Sequence, residues 1–368
     1  MNKAFWQDKK VLVTGHTGFK GVWLSLWLTQ IGAKVYGYAL SPNTTPSLFE
    51  LLDMPSHIDH CIGDIRNLAS FKERINTVAP DIIIHMAAQP LVRHSYQNPL
   101  ETYETNVMGT VHLFEAVRQC PSVKVVVNVT TDKCYENKEW HWSYRENEPL
   151  GGYDPYSNSK ACSELVTSAY RNSFFNVQGD QQHKTAIATA RAGNVIGGGD
   201  WAKDRLIPDI IKSLIDHKAV IVRSPKAIRP WQHVLEPLSG YLLLAEKLWY
   251  DPINYASSWN FGPYDSDVKP VEYIVEYLAN NWMSKAQWQL DEKINPHEAS
   301  YLKLDSSKAR AYLNWQPRWR LEQTLDFIIN WYIAYACGEN LFKLTLAQLH
   351  LYEQGFNTDS ENNKELKC

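Results

Sequence analysis

Short apolar runs alternate with longer segments of helical periodicity along the first half of the chain. The apolar runs predict strands at 10–15, 33–40, 60–65, 81–88, 123–130 and 184–191. The intervening segments predict helices at 19–32, 67–80, 100–120 and 155–174. The strands are continuously apolar, which is typical of parallel sheets covered on both faces. The alternation predicts right-handed βαβ units and therefore an α/β fold with a doubly wound parallel sheet.

The alternation weakens after residue 191, where Gly, Trp and Pro become frequent. We therefore predict a first domain over 1–191 and mainly a second, smaller domain over 192–356. A helix near 235–249 is expected to return to the sheet of the first domain. Residues 357–368 are polar, which predicts a loose tail.

Composition argues against several classes of protein. The 368 residues carry a net charge of −3 and no basic run, which is unlike a nucleic-acid-binding protein. No apolar stretch reaches the roughly 18 residues of a membrane span, and the N-terminus enters the first strand without room for a signal peptide. The scattered Cys residues favour reduced thiols and a cytoplasmic location. His57 and His60 form an isolated H-x-x-H, so no metal site is predicted.

A glycine-rich motif, TGHTGFKG, joins the first predicted strand to the first predicted helix. Glycine permits a tight turn and a close approach of the backbone to a pyrophosphate, and the helix N-terminus offers free N–H groups. This context predicts a dinucleotide site and makes the first domain a Rossmann domain. The loop residues expected to bind the cofactor are Gly15, His16, Thr17, Gly18, Phe19, Lys20 and Gly21.

The choice between NAD and NADP depends on the end of the second strand. An acid there accepts from the ribose 2′-OH of NAD, whereas an Arg accommodates the phosphate of NADP. The sequence YALSPN has neither, and His16 and Lys20 add bulk and potential positive charge to the loop. NAD is the predicted cofactor, with NADP left open. Asp64 and Ile65 follow the third strand, where Asp64 is expected to accept from the adenine amino group or to serve only as a helix N-terminal acid.

Tyr156 and Lys160, in the sequence YSNSK, lie four residues apart and share one face of a predicted helix. A free phenol, with a pKa near ~10, is a poor base at neutral pH. A neighbouring ammonium is expected to lower that pKa by favouring the phenolate. Such a pair takes the proton of an alcohol while a nicotinamide takes the hydride, so the sequence predicts a redox site.

The chain resembles the extended short-chain dehydrogenase/reductases of the sugar-nucleotide-modifying branch. The first half carries TGHTGFKG, GDI, HMAAQP, TNVMGT and YSNSK in the family's order, and the second half carries ARAGNVIGGGDW, RLIPD and RPWQHV. The resemblance implies that Thr131 hydrogen-bonds the sugar 4-hydroxyl while Tyr156 and Lys160 assist hydride transfer. It also implies pairing through the helices that begin near 100 and 155, as a homodimer or a dimer of dimers.

Further site residues follow from the resemblance. Ala87, Ala88 and Gln89 are expected to line the cofactor path, and Asn106 to support the catalytic helix. Arg229 is expected to bind phosphate, with a surface salt bridge as the alternative. The other residues expected near the sugar nucleotide are Asn194, Arg205 and Leu206, together with Trp201, Trp231 and His233, for which core packing is the alternative.

Asp132 and Lys133 follow Thr131 directly, at the carboxyl end of a predicted central strand. A 4,6-dehydration needs an acid and a base beyond Tyr156, because a C5 proton and a C6 hydroxyl must also leave. We expect burial to keep Asp132 protonated as the acid at the C6 hydroxyl. Lys133 stands where dehydratases of dTDP-glucose carry a Glu base, so it either removes the C5 proton or stabilises the enolate while another group or water removes it.

The predicted activity is therefore the dehydration of CDP-glucose or a related nucleotide sugar. CDP-glucose rests on the resemblance alone. The alternatives are a nucleotide-sugar 4-epimerase, a dehydratase of dTDP- or GDP-sugars, and a non-catalytic dinucleotide sensor. Epimerisation requires Thr131, Tyr156 and Lys160 but no second acid–base pair, so Asp132 and Lys133 favour dehydration.

Overall fold

A seven-stranded parallel sheet forms the centre of the protein in a computed structural model, which describes residues 2–179, 184–283, 287–291, 299 and 301–355. The strands are β1 (Lys10–Thr14), β2 (Lys34–Ala39), β3 (Asp59–Ile62), β4 (Ile82–His85), β5 (Val125–Val129), β6 (Ala186–Ala192) and β7 (Ser258–Phe261). Their spatial order is β7-β6-β5-β4-β1-β2-β3. This order confirms the predicted doubly wound sheet.

The order of strands reverses between β1 and β4, which are hydrogen-bonded neighbours. Thr14 at the end of β1 pairs in register with His85 at the end of β4. Ligands of open α/β sheets bind outside the carboxyl ends of the strands at such a reversal. The sheet therefore directs the loops after β1, β4 and β5 into one crevice.

Helices cover both faces of the sheet. The longer ones are α1 (Phe19–Gln30), α2 (Leu68–Val78), α3 (Gly109–Val117), α4 (Pro155–Ser173), α5 (Leu206–Ile215), α6 (Leu235–Tyr250), α7 (Val271–Asn281), α8 (Leu321–Ala336) and α9 (Leu341–Gln354). Short α-helices span Lys3–Trp6, Leu48–Leu51, Val92–Gln97, Pro99–Tyr103 and Pro252–Tyr255. Single turns of 3₁₀- or π-helix span Met54–Ser56, Glu104–Met108, Asp132–Cys134, Asp265–Asp267 and Ala309–Leu313.

The long helix predicted at 100–120 is interrupted. A π-turn at Glu104–Met108 separates the helix Pro99–Tyr103 from α3. Such wide turns are frequent at functional sites. Here the turn contains the buried Asn106, whose side chain bonds to residues outside the helix. Hydrophobic periodicity does not reveal the interruption, because the apolar face continues on both sides of it.

The chain after residue 192 does not remain apart from the sheet. Helix α6 packs on β5 and β6, and β7 extends the sheet by pairing with β6. The remaining strands form three small two-stranded sheets, Val195–Ile196 with Gln232–His233, Ile228–Pro230 with Val268–Pro270, and Val220–Val222 with Trp288–Leu290. The domain boundary at 191/192 stays a prediction. The tail at 357–368 lies outside the described residues.

None of the helices in the described ranges has the length and apolarity needed to cross a membrane. Across the same residues, no group of three or more His, Cys, Asp or Glu side chains is arranged to hold a metal ion. His57 of the H-x-x-H sequence stacks on Phe342, with ring centroids 4.6 Å apart, and His60 lies beside Phe49. Both imidazoles of that sequence therefore pack against aromatic rings.

Candidate active site

A cleft of about 520 Å³ opens at the carboxyl ends of the strands. It is lined from both parts of the chain, so residues far apart in sequence face one another. The predicted site residues that line it are Gly15, Thr17, Gly18, Phe19, Lys20, Gly21, Asp64, Ile65, Ala87, Ala88, Thr131, Asp132, Lys133, Tyr156, Lys160, Asn194, Arg205, Leu206, Arg229 and Trp231. Five predicted residues, His16, Gln89, Asn106, Trp201 and His233, are not part of this lining.

The glycine-rich loop can only be built with glycine at two of its positions. Gly15 has φ +75°, and a Cβ there would lie 2.8 Å from the backbone nitrogen of Ala87. A Cβ on Gly21 would lie 2.1 Å from the carbonyl oxygen of Gly15. Gly18 is the N-cap of α1 and lines the cleft. The loop therefore presents a bare backbone and a helix N-terminus to the cleft, as a pyrophosphate requires.

His16 and Lys20 depart from the expected loop. His16 is fully buried, packed against Gly37 and Phe49 beneath the loop. Burial lowers the pKa of its imidazole to about 4, so it is neutral and adds no charge to the cleft. Lys20 does line the cleft, where its Nζ donates to the Tyr241 hydroxyl at 2.9 Å. Burial lowers the pKa of Lys20 to about 7, so its positive charge is partial at neutral pH.

Asp64 lines the cleft next to Ile65, but its carboxylate is already paired. Arg66 approaches it with Nη2 2.6 Å from Oδ2, and this hydrogen bond is the main cause of the lowered pKa of Asp64. The N-cap of α2 is Asn67, which accepts from the Ser70 N–H, and Asp64 lies three residues before it, so the alternative of a helix N-terminal acid stays a prediction. Both carboxylate oxygens of Asp64 already accept hydrogen bonds from Arg66. A hydrogen bond from an adenine amino group would therefore share an oxygen with Arg66.

Gln89 and Asn106 support the site from behind. Asn106 accepts from the Gln89 N–H at 2.8 Å and donates both to the Gln89 carbonyl and to the Ser159 hydroxyl. Ser159 lies in α4, between Tyr156 and Lys160. Asn106 thus ties the loop after β4 to the helix that carries the Tyr–Lys pair.

Tyr156 and Lys160 project from the first turns of α4, whose N-terminus is capped by Asp154. Burial raises the pKa of Tyr156 to about 12, although a hydrogen bond with Thr131 acts in the opposite direction. Lys160 donates to the Val129 carbonyl at 3.1 Å, and burial lowers its pKa to about 8. Contrary to the expected lowering, the pKa of Tyr156 is raised in the protein alone, because burial disfavours the phenolate and outweighs the hydrogen bond with Thr131 and the charge of Arg205.

The segment after β5 forms a single 3₁₀ turn, Asp132–Cys134, capped by Thr131. Asp132 is 2% exposed, accepts from the Thr131 hydroxyl at 3.0 Å through Oδ1, and has a buried Oδ2 without a hydrogen-bond partner in the described structure. Burial raises the pKa of Asp132, against the opposing charge of Lys133. Burial of the carboxyl group therefore accounts for the predicted rise in the pKa of Asp132. Lys133 lines the same cleft.

Two predicted phosphate-binding arginines face the cleft from the later part of the chain. Arg205, at the N-cap of α5, pairs with the buried Asp200 at 2.9 Å, which raises the pKa of the guanidinium. Arg229 is 7% exposed and donates to the Ile228 carbonyl. The phosphate-binding role of Arg229 and its alternative, a salt bridge, both stay predictions. The charge of Arg229 also acts on Asp132, which places these two groups near each other.

Trp201 and His233 pack against the core, which was the predicted alternative to a place near the sugar nucleotide. Trp201 lies against Tyr332 and Tyr335, with centroid distances of 5.2 and 4.8 Å. His233 is fully buried, accepts from the Leu235 N–H, and has a pKa lowered by burial to about 3. Aromatic and imidazole side chains serve ligand sites and cores equally well, so the sequence did not distinguish these two uses. Trp231, in contrast, lines the cleft.

Charged residues at the cleft were missed by sequence reasoning. Asp204 accepts from Arg93 at 3.1 Å and from Arg223 through its carbonyl at 3.1 Å, and all three residues line the cleft. Arg93 follows β4, whereas Asp204 and Arg223 flank α5. Nothing in their local sequence distinguishes them from solvated surface charges, because the two parts of the chain meet only in the fold.

Comparison with known proteins places this geometry in a family. The GDP-mannose 4,6 dehydratase family model matches residues 12–327. The chain is 58% identical over 341 residues to the CDP-glucose 4,6-dehydratase of Salmonella typhimurium, which covers 93% of this chain and 95% of the relative. A dTDP-glucose 4,6-dehydratase of Xanthomonas campestris pv. campestris is 25% identical, covering 88% of this chain and 93% of its own length.

A solved structure has the same fold. The dTDP-glucose 4,6-dehydratase of Bacillus anthracis, solved in complex with NAD, superposes with a TM-score of 0.72 at 22% identity, covering 91% of this chain and 99% of that one. These matches confirm the resemblance drawn from the motifs. The chain belongs to the GDP-mannose 4,6 dehydratase family, within the extended short-chain dehydrogenase/reductases.

Proposed function

We propose that this protein converts CDP-glucose to CDP-4-dehydro-6-deoxyglucose and water, a step in deoxysugar biosynthesis of the kind that supplies O-antigen and lipopolysaccharide. The observation that carries the proposal is the 58% identity with the Salmonella CDP-glucose 4,6-dehydratase over nearly the whole of both chains. The cleft supports it, because a Tyr–Lys pair suited to alcohol oxidation and an Asp–Lys pair suited to elimination line the same space.

The cleft fits NAD as the cofactor. Gly15 and Gly21 permit the tight turn of the loop, since a Cβ at either would collide with neighbouring backbone, and the N-terminus of α1 is directed to the same loop. Beyond β2 the lining residues include Leu40, Ser41 and Asn43, none of them cationic, so this strand offers no partner for a 2′-phosphate. When bound, NAD supplies hydride acceptance from C4 and hydride return to C6, and the cofactor ends unchanged.

Thr131, Tyr156 and Lys160 handle the C4 hydroxyl. Thr131 hydrogen-bonds Tyr156, so both hydroxyls are directed to one point in the cleft. Tyr156 removes the C4 hydroxyl proton as the hydride leaves. Since burial holds the pKa of this phenol near 12, the base form depends on added positive charge, and Lys160, with a pKa of about 8, remains mostly cationic at neutral pH.

Asp132 and Lys133 carry out the elimination. The new C4 ketone acidifies the C5 proton, and Lys133 removes that proton and returns one to C5 when hydride is delivered to C6. Asp132, whose pKa is raised by burial, donates in its protonated form to the departing C6 hydroxyl, which leaves as water. Two groups with opposite tasks are thus supplied by adjacent residues of one 3₁₀ turn.

The nucleotide portion is held by the later part of the chain. Arg205 and Arg229 provide planar guanidinium groups for the diphosphate, a geometry that phosphate oxygens accept bidentately. Asn194 and Leu206 border the same side of the cleft, and Trp231 offers an aromatic edge.

The product of the reaction tests the proposal. Purified protein incubated with CDP-glucose and NAD should give a 4-keto-6-deoxy sugar, detected by its absorbance in strong base and by NMR. Parallel incubations with dTDP-glucose and GDP-mannose should give little product. A C4 epimer without a keto product would instead establish an epimerase, and binding of NAD without turnover of any nucleotide sugar would favour a dinucleotide sensor.

Assembly into homodimers, or into dimers of dimers, is part of the same proposal. Exposed apolar side chains lie on the two helical segments expected to pair, with Leu100 71%, Met108 47% and Leu165 58% exposed. A four-helix bundle would cover them. A cytoplasmic location completes the proposal and is supported by the free thiols of Cys61, Cys120, Cys134, Cys162 and Cys337.

Leu165→Glu is expected to shift the protein from dimer to monomer, because it places a charge in the apolar centre of that bundle. Sedimentation equilibrium would measure the shift. Ile253→Glu, at a residue that is equally exposed but lies outside both helices, is the matched control and should leave the mass unchanged. An unchanged mass for both variants would rule out pairing through α4.

A further inference from the structure

A buried ion pair lies directly beneath the segment that carries the acid and the base. Glu164 and Arg191 are each 2% exposed, and Arg191 Nη2 lies 2.8 Å from Glu164 Oε2. Glu164 is on α4, one helical turn beyond Lys160, and Arg191 is on β6. Neither residue lines the cleft, so neither touches the substrate directly.

The pair holds both ends of one short segment. At its start, the Thr130 hydroxyl donates to Glu164 Oε1 at 2.5 Å. At its end, Arg191 Nη1 donates to the Tyr135 hydroxyl at 2.8 Å, and the guanidinium lies over the Tyr135 ring at 4.9 Å. Thr131, Asp132 and Lys133 lie between these two anchors.

Each anchor is completed by bonds to other strands. Glu164 Oε2 also accepts from the Thr189 hydroxyl at 2.7 Å, and the Tyr135 hydroxyl donates to Asn260 Oδ1 at 2.7 Å. The network therefore connects the segment after β5 with β6, β7 and α4. Burial alone would raise the pKa of Glu164, but the charge of Arg191 and these hydrogen bonds more than offset it, so the group is ionised.

Stability alone is a weak reason for such a pair. The desolvation of two buried charges costs about as much as their attraction returns, and apolar replacements are often no less stable. A charged, fully bonded pair does, however, fix directions, because each bond specifies the position of its partner. Here the bonds fix both ends of the segment that contains the 3₁₀ turn with Asp132 and Lys133.

We infer that Glu164 and Arg191 are positioning residues that hold Asp132 and Lys133 in register with Tyr156 and Lys160. Glu164 belongs to the same helix as Tyr156 and Lys160. The Glu164–Arg191 pair with its two anchors, here called the clamp, therefore connects Asp132 and Lys133 to Tyr156 and Lys160 through α4. Loosening the clamp displaces Asp132 and Lys133, and with them Thr131, relative to the sugar, while Tyr156 and Lys160 remain on α4. The inference rests on the proposed function, because it assigns the two steps to these two pairs.

The test removes the two anchors and leaves the ion pair in place. Thr130→Val and Tyr135→Phe each delete one hydroxyl at nearly constant volume, and the double variant deletes both anchors. Misplacement of reacting groups by about 1 Å costs about 100-fold. We expect the double variant to slow elimination about 10- to 100-fold, while C4 oxidation, followed by the absorbance of reduced cofactor in a single turnover, slows by a smaller factor because Tyr156 and Lys160 stay in place and only Thr131 moves with the turn. Reduced cofactor should therefore accumulate.

Two matched controls separate positioning from general destabilisation. Thr185→Val deletes a buried hydroxyl at the opposite end of the sheet, where Thr185 donates to the Val123 carbonyl. Tyr144→Phe deletes a hydroxyl from the ring that stacks on Tyr135, but its bonds go to Asn137 and Lys138. Neither control should change the ratio of elimination to oxidation, whatever it does to the thermal unfolding midpoint.

Failure of this inference is distinguishable from failure of the proposed function. A wild-type protein that forms no 4-keto-6-deoxy product from CDP-glucose overturns the function itself. If the wild type turns over, an unchanged ratio of elimination to oxidation in the double variant overturns the clamp. Equal losses in both steps that follow the loss of folded protein, seen by circular dichroism, also overturn it, because the pair would then only stabilise the fold.

Discussion

Lys133→Met is expected to abolish exchange of the C5 proton with solvent while leaving the initial oxidation at C4 in place. Met retains the length and packing of the lysine stem but cannot take a proton. General bases typically contribute about 10²- to 10⁴-fold, so exchange should fall by at least about 100-fold. Incubation with CDP-4-keto-glucose in D₂O, followed by NMR of the C5 position, measures this step separately from hydride transfer.

Lys138→Met provides the matched control, since Lys138 is an exposed lysine in the same loop and pairs with Glu136 at the surface. Exchange in this variant should match the wild type. Undiminished exchange in Lys133→Met would remove Lys133 from the role of base. Its remaining role would be stabilisation of the enolate, with another group or water taking the proton.

Asp132→Asn is expected to slow departure of the C6 hydroxyl by about 100-fold, the contribution typical of a positioned general acid. The amide is nearly isosteric with the protonated carboxyl, so C4 oxidation and C5 exchange should continue. In the wild type, elimination requires the protonated form, and burial raises the pKa of Asp132. Elimination should therefore be fast below that raised pKa and fall as the pH rises through it, and Asp132→Asn should lose this alkaline limb.

Rapid-quench analysis of CDP-glucose deuterated at C4, across a pH series, would measure the elimination step. Asp267→Asn is the matched control, because Asp267 is a buried carboxyl paired with Arg320 and lies outside the cleft lining. An elimination rate in Asp132→Asn equal to that of the wild type would exclude the assignment of the acid. Retention of the alkaline limb in this variant would assign the limb to another group.

Much of the fold was predictable because its signals are local. Apolar runs such as VVVNV in β5 and IIIH in β4 are buried along their whole length, and their short length and β-branched residues identify such strands. β7 was missed because its sequence, SWNF, is short and lies in the part of the chain where the alternation had weakened. Its place beside β6 depends on a long connection that local sequence does not encode.

Motifs located the candidate site, but they did not determine which side chains face it. His16 belongs to the glycine-rich motif and yet lies beneath the loop, because Gly37 on β2 leaves room for its ring. Trp201 and His233 lie in segments that resemble the family and yet pack in the core. The direction of each of these side chains depends on neighbours that are distant in the sequence. Spacing along the chain therefore does not predict it.

Sequence by itself determined the alternation of strands and helices in the first half of the chain, the glycine loop, and the adjacency of Thr131, Asp132 and Lys133, because each depends on residues close together in the chain. Only the tertiary structure decided the pKa shifts of the site residues and the contacts that hold those residues in place. Burial, which raises the pKa of Asp132 and lowers that of Lys160, exists only once the sheet and α4 have packed. The Glu164–Arg191 pair likewise arises from residues 27 positions apart, which meet because α4 returns across the sheet to β6.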